Sequence, residues 1–283
     1  ATAINQIALK AINPNGNINL NSTIQTTQPN GQVSLTAVHG GVTNGAAVNT
    51  INVITNSLVV QTTQGIGSST AIQTDVSHFA AHNTGTGSIR VDNLGNRLLT
   101  IDSVGGVNGI TNDGASTGNI TITNTGSILV SAIQSATNAP ITNSTGGDIT
   151  LLTKGGSFNI TVNSPITALN GNGNVTLNAG HNVIVNDTQV TNDISLTGTG
   201  TVSLTAANTV ILGSMDPNST PDTTQHTVAN DVVIKTGTGS ITNTLPLIYN
   251  IQSPQISATG DVVLSGDFGR PGEHNFVITV YWG

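Results

Sequence analysis

Charge is what this sequence has least of. Among its 283 residues are six Lys plus Arg and 13 Asp plus Glu, so charged residues make up 7% of the chain and the formal net charge is −7. An average soluble protein carries roughly 25% charged residues. Solvent-facing helices draw on Lys, Glu, Arg and Ala, so this composition argues against a helical protein. With six basic residues there is no patch to neutralise phosphates, which argues against a nucleic-acid partner. Cysteine is absent, and with it disulfides, zinc thiolate sites and a thiol nucleophile; the same absence is common in giant exported bacterial proteins. No apolar run approaches the roughly 20 residues of a membrane-spanning helix. The chain opens at Ala1 with neither an initiator Met nor a charged-then-apolar signal, and reads as a processed or excised piece.

Asn, Thr, Ser and Gly fill the space normally held by Lys and Glu. Thr, Val and Ile favour strands, while Asn and Gly favour turns with positive φ. Disorder is the competing reading for a polar, Gly-rich chain, but Ile, Val and Leu recur in regular alternation and the mean hydropathy is +0.08. That pattern supplies a core.

One motif repeats: a turn residue, a small or polar residue, then apolar, polar, apolar. Copies begin at Gly16, Gly31, Gly87, Gly118, Gly147, Gly173, Gly200 and Asn230, with a weaker copy at Asn56. From Gly87 onward the steps are 31, 29, 26, 27 and 30 residues, and the gap from Gly31 to Gly87 is about twice 28. Between copies lie two further short alternating runs, such as Ser127-Ile128-Leu129-Val130 and Pro140-Ile141-Thr142. A persistent period of this size marks a solenoid, in which one repeat cannot bury its apolar face and is stabilised by stacking on neighbours. The expectation is an all-β, right-handed parallel β-helix with about three strands per coil of roughly 28 residues. Seven to nine such coils at about 4.8 Å would make a rod on the order of 35 to 45 Å long. In Ile120-Thr121-Ile122-Thr123 the isoleucines should point inward and the threonines outward.

At these residues the sequence resembles the filamentous-haemagglutinin-like β-helix of bacterial adhesins and exported surface proteins. Gly171-Asn172-Gly173-Asn174-Val175-Thr176-Leu177-Asn178-Ala179-Gly180 looks like its repeat, and the resemblance covers roughly residues 12 to 244. The chain's period is longer and less regular than the family's. The resemblance implies a secreted, cell-surface rod with a structural or adhesive role and no catalytic activity. Its partners would be neighbouring domains of the same protein, identical copies in an assembly, or cell-surface carbohydrate.

After Leu245 the texture changes. Pro246, Pro254 and Pro271 appear, with Tyr249, Phe268, Phe276, Tyr281 and Trp282 in a chain otherwise nearly free of aromatics. This marks a boundary between residues 1–244 and 245–283. The run from Val263 to Trp282-Gly283 resembles the opening strands of polycystic-kidney-disease-type β-sandwich modules, which carry a Pro-Gly loop like Pro271-Gly272. The alternative is that Gly260-Asp261-Val262-Val263-Leu264 forms one more coil and the aromatics cap the rod. Asp267 and Glu273 beside the Pro-Gly loop are the one candidate for calcium, with surface solvation the commoner fate of such residues.

No other residues are assigned to catalysis, a cofactor or a metal. The one concentration of ionisable groups, Asp75, His78, His82, Arg90, Asp92, Arg97 and Asp102, has spacings that match no catalytic motif, and reads as solvated turn residues. Gly105-Gly106-Val107-Asn108-Gly109 has the glycines of a calcium β-roll but lacks its Asp. The six histidines show no metal-ligand pairing, and His39, His181 and His226 read as turn residues. Asn-x-Ser/Thr triplets at Asn21, Asn119, Asn143, Asn159, Asn174, Asn186 and Asn218 are expected by chance in such a composition. Two further functions stay open. A polysaccharide lyase or hydrolase needs carboxylates converging in a cleft. A flat ligand-binding face, such as an ice-binding array, needs outward Thr pairs in register. Arg90 and Val233 interrupt the Thr121, Thr150, Thr176, Ser203 series. The loop from Gly213 to Val228 is the longest connection and a candidate partner contact.

Overall fold

The computed structural model describes residues 5–47, 49–114, 116–131, 140–187, 194–196 and 200–215, with side chains as far as residue 211 except that of Asp187. Beyond these it describes the backbones of six strands, Gln225–Thr236, Ile241–Asn243, Leu247–Ala258, Val262–Val263, Gly266–Phe268 and Val277–Val280. The described residues form strands and no helix, and nearly all strand pairs are parallel. The protein is a parallel β-helix.

Its levels are read from one column of paired residues, inward wherever its side chains are described. Ile18, Val42, Ile66, Ile89, Ile120, Ile149, Val175, Val202 and Val232 each stand opposite the next. Nine levels about 4.8 Å apart give a length of roughly 38 Å. Two other inward columns run beside it. One contains Leu35, Val60, Ala81, Ile110, Ile141, Ile166 and Ile194. The other contains Val33, Leu58, Phe79, Ile101, Val130, Val162 and Val185. Together they form one continuous core. From Ile120–Asn124 to Ile194–Leu196, each strand pairs with the third strand after it. Ile120–Asn124 joins Ile149–Thr153, Ile128–Val130 joins Ile160–Val162, and Ile141–Asn143 joins Ile166–Ala168. Burial alternates along most strands: Ile120 and Ile122 are inside, Thr121 and Thr123 half-exposed. β-Branched residues suit this role because the pleated, closely stacked surface rewards their restricted χ1.

From Gly87 onward the register reproduces the spacing of the sequence motif. Before it, the levels are shorter, and the motif copies divide between two flanks. The Gly16 copy belongs to the column of Ile89, through Val42 and Ile66. The copies at Gly31 and Asn56 lie on another flank, where Val33 faces Leu58 and Leu58 faces Phe79. Any strand that leaves a turn with its first and third residues inward reads the same way, so a motif search merges flanks that the register separates.

The second position of the motif has a specific task. Ser88 Oγ accepts a hydrogen bond from Asn119 N at 3.0 Å, Asn119 Oδ1 from Asp148 N at 3.0 Å, Asp148 Oδ1 from Asn174 N at 2.8 Å, and Asn174 Oδ1 from Thr201 N at 2.8 Å. Each side chain thus satisfies a turn amide one level away, where the strand ladder has not yet begun. A second spine does the same through Ser127, Asn159, Asn182 and Thr209 N.

The glycine before that position is fixed by space. A Cβ on Gly118, Gly147, Gly173 or Gly200 would lie 2.1, 2.3, 2.2 or 2.1 Å from the carbonyl oxygen of the glycine one level earlier.

Inside the corners, buried asparagines close the remaining gaps. Asn83 Nδ2 donates to Asn112 Oδ1 at 2.8 Å, and Asn93 Nδ2 to Asn124 Oδ1 at 2.9 Å. Asn124 Nδ2 also reaches the carbonyls of Ser127 (2.7 Å) and Arg97 (3.0 Å). All four asparagines are fully buried, and their amides take over the turn carbonyls that water would otherwise solvate.

The parallel pairing continues past residue 245. Leu247–Ala258 pairs with Gln225–Thr236, and Val277–Val280 pairs with residues 255–258.

Three outcomes are expected in denaturant melts. Gly147→Ala lowers stability by about 1–3 kcal/mol because the stacked turns cannot separate locally. Gly156→Ala, where a Cβ meets nothing within 4 Å, leaves the midpoint unchanged. Asn124→Ala costs about 1–2 kcal/mol, since it removes the side-chain donor to the Arg97 and Ser127 carbonyls and one of the two partners of the Asn93 amide.

Candidate functional site

One departure from the regular coil among the described residues creates a groove. The strand His78–Asn83 runs unbroken, but the next level answers it with two short strands, Leu99–Ile101 and Ile110–Asn112. Between them the chain leaves the coil as an antiparallel hairpin, Ser103–Val104 against Val107–Asn108. Its turn residues Gly105 and Gly106 have φ of 58° and 84°, the pair of positive values that a two-residue type I′ turn requires. Gly109 N donates to Asp102 O at 2.9 Å and closes the base. The glycine-rich run is therefore a hairpin turn.

Val104 and Val107 fold back onto Val59 and Ala80, forming a small apolar cluster separate from the main core. Val59 and Ala80 occupy outward positions of their strands, between the inward pairs Leu58/Val60 and Phe79/Ala81. At most other levels such positions carry polar residues, with Leu129, Leu152 and Ile184 as half-exposed exceptions. Here they are apolar because the hairpin covers them, at about 1.5–3 kcal/mol for each fully buried valine.

The hairpin and the outward surface of the coil enclose a groove of about 420 Å³. Gln61, His82, Thr111 and Thr142, which stand in one outward column, form one side. Gly106, Val107 and Asn108 form the other, with Asp113 and Ser144 also lining it. His82 Nε2 lies 3.0 Å from Asp113 Oδ2, both side chains about a third or more exposed. Its twin, His78 Nδ1 to Asp102 Oδ2 at 2.8 Å, sits at the hairpin base. Two histidines of one strand thus hold the carboxylates that flank the excursion. Exposed pairs of this kind contribute about 0–1 kcal/mol each. Asp102 Oδ1 is buried without a partner, a desolvation cost that the rest of the hairpin offsets.

The ionisable residues grouped by sequence do not gather at one place. Asp75 pairs with Arg97 at 2.7 Å, a close contact of charges rather than an aligned hydrogen bond. Asp92 holds Lys154 Nζ through both oxygens, at 2.7 and 2.8 Å, and also accepts from Thr123 Oγ1 at 2.6 Å. Arg90 Nη1 reaches only the Ser68 carbonyl, at 3.5 Å. Asp113 and Lys154 were absent from the sequence grouping because their partners lie 31 and 62 residues away. The signal for Asp113 was its place after Asn112, the residue that stacks on Asn83 beside His82.

Among the described residues, no three His, Asp or Glu side chains approach as a metal site would require. His181 Nδ1 bonds Asn159 Oδ1 at 3.1 Å, and the His39 carbonyl accepts from Gln64; the side chain of His226 lies outside the described residues. So do Glu273 and the side chain of Asp267, the calcium candidates, together with Asn218 and residues 216–224 of the long connection. Of the remaining Asn-x-Ser/Thr asparagines, Asn143 is fully buried, and Asn119, Asn159 and Asn174 serve in the spines. No family model, curated protein or solved structure matches the chain.

Val104→Ser removes about 1–2 kcal/mol of burial from the hairpin alone. The expected result is amide exchange at Val104 and Val107 roughly tenfold faster, with amides of the Ile120–Asn124 ladder unchanged. Equal acceleration of both would show that the hairpin is integral to the rod.

Proposed function

We propose that this chain is a non-catalytic structural and adhesive segment of a large secreted bacterial surface protein, a right-handed solenoid of the filamentous-haemagglutinin-like kind with three strands per coil. The observation that carries the reading is the unbroken nine-level column from Ile18 to Val232, backed by side-chain spines that tie each turn to the next. Such a stack resists bending and presents a long neutral surface. Its described carboxylates, Asp75, Asp92, Asp102, Asp113 and Asp148, are all engaged by Lys, Arg or His side chains or by spine amides. An acid and base pair for glycoside chemistry needs two carboxyl groups free to face one bond. The continued parallel pairing of Leu247–Ala258 and Val277–Val280 favours further coils over a separate sandwich for residues 245–283. An extracellular location follows from the family resemblance and accords with the missing cysteine.

A flat-face binder is favoured as a second reading by one observation. Thr121, Thr150, Thr176 and Ser203 stand in strict register, as do Thr111, Thr142, Thr167 and Ser195 on another flank. Arg90 and Val233 end the first series rather than interrupt it.

Electron microscopy of the native material tests the leading reading. Stiff rods continuing into further density, or ordered arrays of rods, are expected. Compact separate particles that depolymerise polysaccharide would overturn it. Slowed ice recrystallisation by the purified chain would instead select the flat-face reading.

A further inference from the structure

We infer that the groove under the Ser103–Asn108 hairpin is a binding subsite for a neutral saccharide. The inference rests on the adhesive reading and gives it a location.

The groove is built rather than incidental. A whole excursion of the chain, two left-handed glycines and a private apolar cluster serve to hold Val107 and Asn108 opposite the outward column. Val59 and Ala80 are outward yet buried, because the hairpin covers them.

Several of its polar groups are open to a ligand, and they are mixed in kind. No described residue hydrogen-bonds the Gln61 side-chain amide or the Thr111 and Ser144 hydroxyls, and Asn108 uses only its Oδ1, which accepts from Ser103 Oγ at 2.7 Å. Asp113 commits Oδ2 to His82 and leaves Oδ1 available. Amide donors, hydroxyls and one oriented carboxylate are the set that vicinal hydroxyl groups satisfy, since each sugar hydroxyl both donates and accepts. Val107 supplies an apolar edge for the C–H face of a ring.

Charge selects within the saccharides. The groove holds one carboxylate, its imidazole partner is the one cationic candidate beside it, and the chain carries a net charge of −7. Uronates and sialylated sugars would meet repulsion here. A volume of about 420 Å³ is at the small end of ligand sites and admits about one or two hexose rings.

The test is nuclear magnetic resonance titration of the chain with glucose, galactose, mannose and N-acetylglucosamine, using galacturonate and N-acetylneuraminate as acidic comparators. The expected result is saturable binding of at least one neutral sugar, with shifts at Gly106, Val107 and Thr111, and at least tenfold weaker binding of both acidic sugars. Asp113→Asn and Thr111→Val should each weaken the neutral sugar tenfold or more with the melting temperature unchanged. If either variant fails to fold, the shift map of the unaltered chain decides. Absence of binding, shifts confined to other surfaces, or equal binding of acidic sugars would overturn the inference. Rods seen by microscopy with no sugar in the groove would remove the subsite and leave the structural reading standing, whereas the absence of rods would remove that reading itself.

Discussion

The constraint on which everything else depends is that successive turns must stack at the same spacing as the strands they connect. Strands stack easily, since a parallel ladder meets every N–H and C=O across a gap of about 4.8 Å. Turns have no such ladder, and their polar groups lie at the corners of a dry core. The chain meets the constraint with three devices at fixed positions. Glycines remove the Cβ that would strike the preceding level, short polar side chains accept the amides that open each strand, and buried asparagines bind the corner carbonyls. The odd composition follows. Gly, Asn, Ser and Thr are abundant because the corners require them, and charge is scarce because long charged side chains contribute nothing to a corner.

A stack of this kind separates scaffold from function in a simple way. A residue facing inward is fixed by the levels on both sides, while an outward residue is free to vary. A groove can therefore arise by lengthening one connection, as between Ile101 and Ile110, with the columns continuing undisturbed through Ile101 to Val130 and Ile110 to Ile141. The cost of covering coil surface is met locally, by apolar replacements at Val59 and Ala80.

The regular part of the fold was legible because its signal is periodic and local. Alternation in Ile120-Thr121-Ile122-Thr123 identified the inward face, and the motif steps from Gly87 onward equal the register steps of the column. The early levels were less legible. There the motif occurs on two flanks, and only pairing distinguishes Ile18 from Val33. The groove escaped notice for a related reason. Leu58-Val59-Val60 and Phe79-Ala80-Ala81 each show three consecutive buried apolar residues, but only stacking reveals that Val59 and Ala80 are neighbours. The ion pairs likewise join residues 22 to 62 positions apart, distances at which sequence proximity carries no information without the register.

The stacked register is tested most directly by spin labels at Thr36 and Ser195, replaced by cysteine in this cysteine-free chain. The two positions occupy one outward column, linked through Gln61, His82, Thr111, Thr142 and Thr167. Six levels of about 4.8 Å place them roughly 29 Å apart. A narrow distance distribution centred there by pulsed electron resonance is the expected result. A broad distribution, or a centre displaced by more than the reach of the labels, would contradict the stack.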